Sequence, residues 1–108
     1  MALARLAVHL YGDHVADVID AGFGECAIQY TDRGQAIGAG ARLSISLPVR
    51  SGLYNSTTHG TRWVRSLLPE GRALSYAITQ YGVPEDDRFA LLSVLGRDIA
   101  GALVIYDT

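Results

Sequence analysis

Proline and glycine divide the second half of the chain into helices of fixed length. Pro69 ends one helical run and suits the first turn of the next, because proline has no backbone N–H to donate. Gly82 is a stop signal for this second helix. Asp86 or Asp87 can cap a third helix, which ends at Gly96. The apolar spacing therefore predicts helices over residues 61–68, over residues 69–81, and between Asp87 and Gly96.

The first half of the chain alternates apolar and polar residues with a period of two, which is typical of half-buried strands. This alternation predicts strands over residues 5–11, 14–20, 25–30 and 42–47. Gly12-Asp13 suits a two-residue type II′ hairpin, whose register would place Asp17 on the apolar face. Either Asp17 finds a partner there or a bulge shifts the register. Glycine and polar residues predict loops over residues 31–40 and 49–60.

The last apolar stretch, residues 100–106, is nearly continuous and rich in β-branched side chains. That pattern favours a strand buried on both faces, inside the sheet. A length of 108 residues suits one domain with its own core. We therefore expect a single α+β domain over residues 1–108. It would have an antiparallel, partly barrel-like sheet of about five strands, with two to three short helices packed on one side.

Composition excludes several function classes. All nine basic residues are arginine, and the lysine that P-loop NTPases and protein kinases place at nucleotide phosphates is therefore missing. Gly38-Ala39-Gly40 precedes a predicted strand rather than a helix, which argues against a dinucleotide loop. The net charge of −2 predicts no direct nucleic-acid binding. No apolar run reaches the ~18–20 residues of a membrane helix, and we expect a cytoplasmic protein without membrane contact.

Few residues have the character of a reactive site. Cys26 lies in a strand-like run, which favours a buried structural thiol. His9 and His14 would lie diagonally on one sheet face, roughly 7–8 Å apart, without further metal ligands in reach. Asp98 favours hydrogen bonds within a turn. We therefore predict no catalytic, cofactor-binding or metal-binding residue in this chain.

Trp63 is the only tryptophan and lies between Arg62 and Arg65, shortly after His59. Two interpretations stay open. Trp63 packs into the core, or it is an interface hot spot, since Trp and Arg are the side chains that most often anchor interfaces. The second interpretation makes His59, Arg62, Trp63 and Arg65 the candidate interface residues.

Three short motifs carry a family resemblance. SISLP at residues 44–48 resembles the SLSLP strand of HipA-type proteins. LLPEG at residues 67–71 resembles their NLLPEG helix junction, with Ser66 in place of a frequent Asn. Residues 89–102 resemble their FxLLxxIGxDxxGAL segment. The matching positions are Leu47, Pro48, Leu67, Leu68, Pro69, Glu70, Gly71, Phe89, Leu91, Leu92, Gly96, Asp98 and Gly101.

HipA-type proteins are serine/threonine kinase toxins of bacterial toxin–antitoxin modules, and the resemblance spans only their N-terminal subdomain. It implies a non-catalytic domain, with ATP, Mg²⁺ and the catalytic residues confined to the kinase body. It also implies protein contact with a HipA-like kinase core, in cis or in trans, or with other toxin subunits in assemblies that include a HipB-like DNA-binding repressor. The alternative is a stand-alone HipS-like antitoxin that binds and inhibits a separately encoded kinase.

Overall fold

The computed structural model describes residues 4–22, 24–55, 59–68, 71–84, 87–96 and 103–106. These ranges form an antiparallel sheet and a set of short helices. The strands are β1 (Arg5–Leu10), β2 (Asp13–Gly22), β3 (Glu25–Tyr30) and β4 (Leu103–Tyr106). The helices are α1 (Asp32–Ile37), α2 (Thr61–Leu67), α3 (Gly71–Tyr81) and α4 (Arg88–Leu95), with a 3-10 turn over Gly38–Ala41.

The sheet has the strand order β3-β2-β1-β4, and each neighbouring pair is antiparallel. The predicted α+β class is confirmed. Over the described ranges the sheet is open and has four strands, so it is smaller than the five-stranded, partly barrel-like sheet that the alternation predicts. The difference arises at residues 42–47, which do not join the sheet.

Residues 42–47 form a tight turn whose only ladder contact is an isolated bridge between Ser44 and Leu47. The prediction of a strand here is wrong, because the hydroxyl of Tyr30 hydrogen-bonds to both ends of this segment and holds it as a turn. That hydroxyl donates to the Leu47 carbonyl oxygen at 2.5 Å and accepts from the Leu43 N–H at 2.9 Å. The outward residue of the pattern, Ile45, is 85% exposed.

Helix α1 occupies most of the segment that glycine content predicts as a loop, residues 31–40. Its N-cap is Thr31, whose hydroxyl accepts from the Gly34 N–H at 3.0 Å. A capping threonine followed by an acid, here Asp32, is a start signal that outweighs the glycines nearby. The loop prediction is therefore wrong for this segment.

The turn between β1 and β2 is Tyr11-Gly12 and not Gly12-Asp13. Both turn residues have positive φ, 52° for Tyr11 and 85° for Gly12, which is the signature of a type I′ turn rather than the predicted type II′. Asp13 belongs to the ladder instead, opposite Leu10. Glycine thus takes the second turn position, and the pairing register shifts accordingly.

A bulge in β2 answers the question that the alternation leaves open for Asp17. The ladder shifts register at Val15, which adds one residue to β2. Asp17 consequently lies on the sheet face away from the core. Its carboxylate accepts from Arg5 at 3.3 Å and lies 2.6 Å from His14 Nε2. Both proposed solutions, a bulge and a partner, therefore occur.

Strand β4 lies at an edge of the sheet, beside β1. In the described part of this strand only Ile105 is fully buried, and its neighbours are half-buried. The prediction of an interior strand buried on both faces is therefore wrong for these residues. Val104 pairs with His9 and shares the sheet face away from the core.

The core lies between the other sheet face and helices α2 and α4. Its buried side chains include Leu6, Val8, Val18, Ile28, Ile105, Trp63, Val64 and Leu92. Helix α4 begins at the predicted cap, since the Asp87 carboxylate accepts from the Ala90 N–H at 3.0 Å. Gly82, with φ of 67°, follows α3 as predicted. None of the described helices is long and apolar enough to cross a membrane.

Candidate functional site

Helix α2 is fixed to β3 at its first turn. The Thr61 hydroxyl accepts from the Cys26 N–H at 3.0 Å and donates to Glu25 Oε2 at 2.5 Å. Gly60 lies so close to the Cys26 carbonyl oxygen that a Cβ there would overlap it. The Thr61 hydroxyl thus binds the sheet rather than capping the helix, and the N-cap position is Gly60.

The two faces of α2 have different roles. Trp63 is 7% exposed and packs in the core beside Val64. Arg62 and Arg65 are exposed on the outer face. The structure therefore favours the core interpretation for the indole of Trp63, while the arginines beside it face outward.

The arginine side chains of the described residues differ in whether an acidic side chain pairs with them. Arg5 and Arg33 form ion pairs with Asp17 and Asp13, each at 3.3 Å. Within the same ranges, the guanidinium of Arg62 forms neither an ion pair nor a hydrogen bond. The same holds for the guanidinium of Arg65, although its backbone carbonyl oxygen accepts from the Leu68 N–H at 3.3 Å. Helix α2 therefore presents two positive charges one turn apart that the described residues leave uncompensated.

The segment before α2 continues this surface. The guanidinium of Arg50 lies 3.8 Å from the centroid of the Tyr54 ring and donates to the Leu53 carbonyl oxygen at 2.8 Å. His59, at the start of the helix, contacts the same tyrosine ring edge-on at 5.4 Å between centroids. Leu53 is 49% exposed. Tyr54 thus joins the loop to α2.

Sequence reasoning missed the charge segregation that underlies this surface. Residues 33–69 contain five of the nine arginines and none of the eleven acidic residues. Net charge alone hides this pattern, because the acids elsewhere outnumber the arginines. The gap between Asp32 and Glu70 is the signal that would have revealed it.

A polar row crosses the sheet face away from the core. His9 and His14 are direct ladder partners with stacked rings 5.2 Å apart, and the Tyr106 ring stacks on His9 at 4.6 Å. The predicted diagonal separation of roughly 7–8 Å is wrong, because the bulge at Val15 brings the histidines into register. No three His, Cys, Asp or Glu residues of the described ranges come together as a metal site.

Cys26 lies on the core side of the sheet. Burial, assisted by the nearby Asp20 carboxylate, raises the pKa of its thiol from 9.0 to about 12. Burial also raises the pKa of Tyr30, so its phenol keeps the proton that it donates to Leu47. Both groups are therefore neutral near pH 7, and a neutral thiol is a poor nucleophile.

The family-motif residues lie mainly in the frame of the fold. Leu47, Leu91 and Leu92 are fully buried, and Leu67, Leu68 and Phe89 pack against the core. The exposed Pro48 offers its carbonyl oxygen to the Tyr54 hydroxyl. Gly71 begins α3, and Gly96 ends α4. Pro69, Glu70, Asp98 and Gly101 lie outside the described residues.

A comparison with protein-family models matches residues 6–106 to the HipA N-terminal domain. No curated protein matches the chain in a sequence comparison. The family match runs from β1 to the end of β4 and corresponds to the N-terminal domain of HipA, not to the catalytic part of the kinase. It includes all three motifs that carry the resemblance. The chain therefore belongs to the HipA N-terminal domain family.

Proposed function

We propose that this chain is a non-catalytic domain that binds a HipA-like kinase body, or a second toxin subunit, through helix α2. The observation that carries the proposal is the pair of exposed arginines, Arg62 and Arg65, on a helix whose opposite face is packed in the core. Arginine is favoured at protein interfaces because its planar guanidinium can form two parallel hydrogen bonds with a carboxylate.

The anchoring of α2 supports this role. A helix of seven residues is unstable in isolation, but this one is held by Trp63 and Val64 in the core and by Thr61 on β3. Its outer side chains are therefore presented on a fixed backbone. A preorganised surface loses less conformational entropy on binding than a flexible one.

The test measures binding between this chain and a HipA-like kinase body that lacks its own N-terminal domain, by isothermal titration calorimetry. We expect Arg62→Glu and Arg65→Glu each to weaken binding by about tenfold or more, since each places a like charge against an acidic partner. The matched control is Arg72→Glu on α3, which makes the same charge change at another exposed arginine and should leave the affinity unchanged.

Three results would contradict the proposal. The first is that the wild-type chain fails to bind the kinase body. The second is that the two α2 variants bind as tightly as wild type, and the third is that the isolated chain binds adenine nucleotides. An assay of kinase autophosphorylation, in which the chain is added in increasing amounts, tests the antitoxin alternative. Inhibition of the kinase at a one-to-one ratio of chain to kinase would assign the chain a HipS-like role, whereas binding without inhibition would assign it a structural role.

A further inference from the structure

The loop before α2 has the features of a second part of the same contact surface. We infer that residues 42–55 and the outer face of α2 together bind an acidic protein segment that carries apolar side chains between its carboxylates. This inference rests on the proposed function and deepens it by naming the chemistry of the partner.

The loop and helix α2 share an excess of positive charge. Residues 33–69 contain five arginines and no acid. In the described ranges, neither Arg42 nor Arg50 forms an ion pair. The carboxylate of Glu25 does reach the first turn of α2, but there it accepts a hydrogen bond from the Thr61 hydroxyl. The surface is therefore positively charged, although the whole chain has a net charge of −2.

Contacts of Tyr54 connect the loop to the segment that leads into α2. The Tyr54 ring contacts the guanidinium of Arg50 on its face and the ring of His59 at its edge. His59 lies two residues before the first residue of α2 and three residues before Arg62. Tyr54 itself is buried, but the exposed His59 and Arg50 flank it, so a partner that reaches Arg62 can extend over His59 to Arg50.

Hydrogen bonds hold the loop in place although it has no regular secondary structure. The loop has two isolated bridges, one of which pairs Tyr54 with Ile28 of β3 at 2.8 Å and 3.1 Å. The Tyr30 hydroxyl bonds to Leu43 and Leu47, and the Tyr54 hydroxyl donates to Pro48. Two tyrosines therefore fix an irregular backbone that would otherwise be mobile. Binding residues are often found on such loops, held by a rigid scaffold.

The exposed apolar side chains of the loop favour a protein partner over nucleic acid. Ile45 is 85% exposed and Leu53 is 49% exposed, on the same loop as Arg42 and Arg50. Surfaces that bind phosphate backbones gain their affinity mainly from positive charge. Arginine mixed with exposed apolar side chains is typical of the centre of a protein interface. An acidic and apolar protein segment therefore fits this surface better than DNA.

The test uses the full chain labelled with ¹⁵N and a synthetic peptide of repeated Glu-Glu-Leu units. A Gln-Gln-Leu peptide of equal length and a short DNA duplex are the comparison probes. We expect the Glu peptide to shift the amide signals of residues 42–55 and 59–65 and to bind at least about tenfold more tightly than the Gln peptide. High salt should weaken that binding. Arg42→Glu and Arg50→Glu should weaken it as well, whereas Arg72→Glu should not.

Equal affinity for the Glu and Gln peptides, or shifts confined to other parts of the chain, would overturn the inference. Tighter binding of the duplex would replace it with a nucleic-acid surface. Because the assay contains no kinase, it separates the two claims. Peptide binding without kinase binding would refute only the proposed kinase contact, while kinase binding that is insensitive to Arg42→Glu and Arg50→Glu would refute only the role of the loop.

Discussion

Burial of Cys26 determines the chemistry of the only thiol in the chain. The side chain is fully buried on β3, and transfer out of water disfavours the thiolate. The N–H of the same residue is bonded to Thr61, so this position serves the attachment of α2 to the sheet. Its role is therefore structural, in packing and in hydrogen bonding.

The raised pKa of Cys26 predicts how stability depends on pH. Because the folded pKa is about 12 and the ordinary value is 9.0, the contribution of the thiol to the free energy of unfolding is complete below pH 9.0 and is lost as the pH rises toward 12. Urea unfolding between these values should show a steeper loss of stability for wild type than for Cys26→Ala. Equal slopes, or rapid reaction of the native thiol with Ellman's reagent at neutral pH, would contradict this account.

Gly96 allows helix α4 to end directly against β4. A Cβ at Gly96 would overlap the carbonyl oxygen and Cβ of Ile105. Gly96→Ala should therefore lower the free energy of unfolding by about 2 kcal/mol or more, since backbone atoms must move. Gly40→Ala is the control, because its new Cβ would meet only the Ile37 side chain, at 3.4 Å. Urea denaturation that shows equal effects at the two positions would refute this packing role.

At the level of elements, Tyr30 links β3 to the loop that follows α1. Its buried hydroxyl has a donor and an acceptor partner in that loop. A buried polar group that loses its partner costs more than the hydrogen bond contributes. The Tyr30 hydroxyl is thus one of the contacts that fix the loop, beside the Tyr54 hydroxyl.

Tyr30→Phe tests this link. We expect it to lower the free energy of unfolding by about 1–3 kcal/mol, because the Leu43 N–H and the Leu47 carbonyl oxygen lose their partner. Tyr76→Phe removes a hydroxyl from a side chain that is 70% exposed and should have little effect. The measurement is chemical denaturation of both variants by circular dichroism. A neutral Tyr30→Phe would mean that other contacts hold the loop.

The elements that sequence predicted well depend on local chemistry. The stop at Gly82 and the cap at Asp87 each involve residues within one helical turn, so the sequence alone carries the signal. The features that it left open or did not predict depend on distant contacts. The bulge at Val15 depends on the pairing of two strands, and the turn at 42–47 depends on the Tyr30 hydroxyl, which lies 17 residues from Leu47.

The candidate site was predictable only in part, because the orientation of α2 also depends on distant contacts. The spacing around Trp63 marks α2 as a candidate surface, but periodicity does not decide which residues of a short helix face the sheet. The approach of Gly60 to β3 turns Trp63 inward and leaves Arg62 and Arg65 outside. The segregation of charge was readable from the sequence, because it concerns only the order of acids and arginines.

At the scale of the whole molecule, arginines and acids are segregated along the chain, with five arginines and no acid in residues 33–69. The sheet and its hairpin provide the frame, and the described family-motif residues lie mostly in buried or half-buried positions. The arginines of α2 and of the loop lie outside that frame. The proposed function is that this domain of the HipA family presents one basic surface to a partner.

Hydrogen–deuterium exchange of the chain, alone and bound to a HipA-like kinase body, tests this claim most directly. The account predicts slower exchange in peptides that cover residues 42–55 and 59–68 on binding, with little change in β1 and β2. Protection confined to the sheet face of His9, His14 and Tyr106, with the loop and α2 unchanged in the complex, would contradict it.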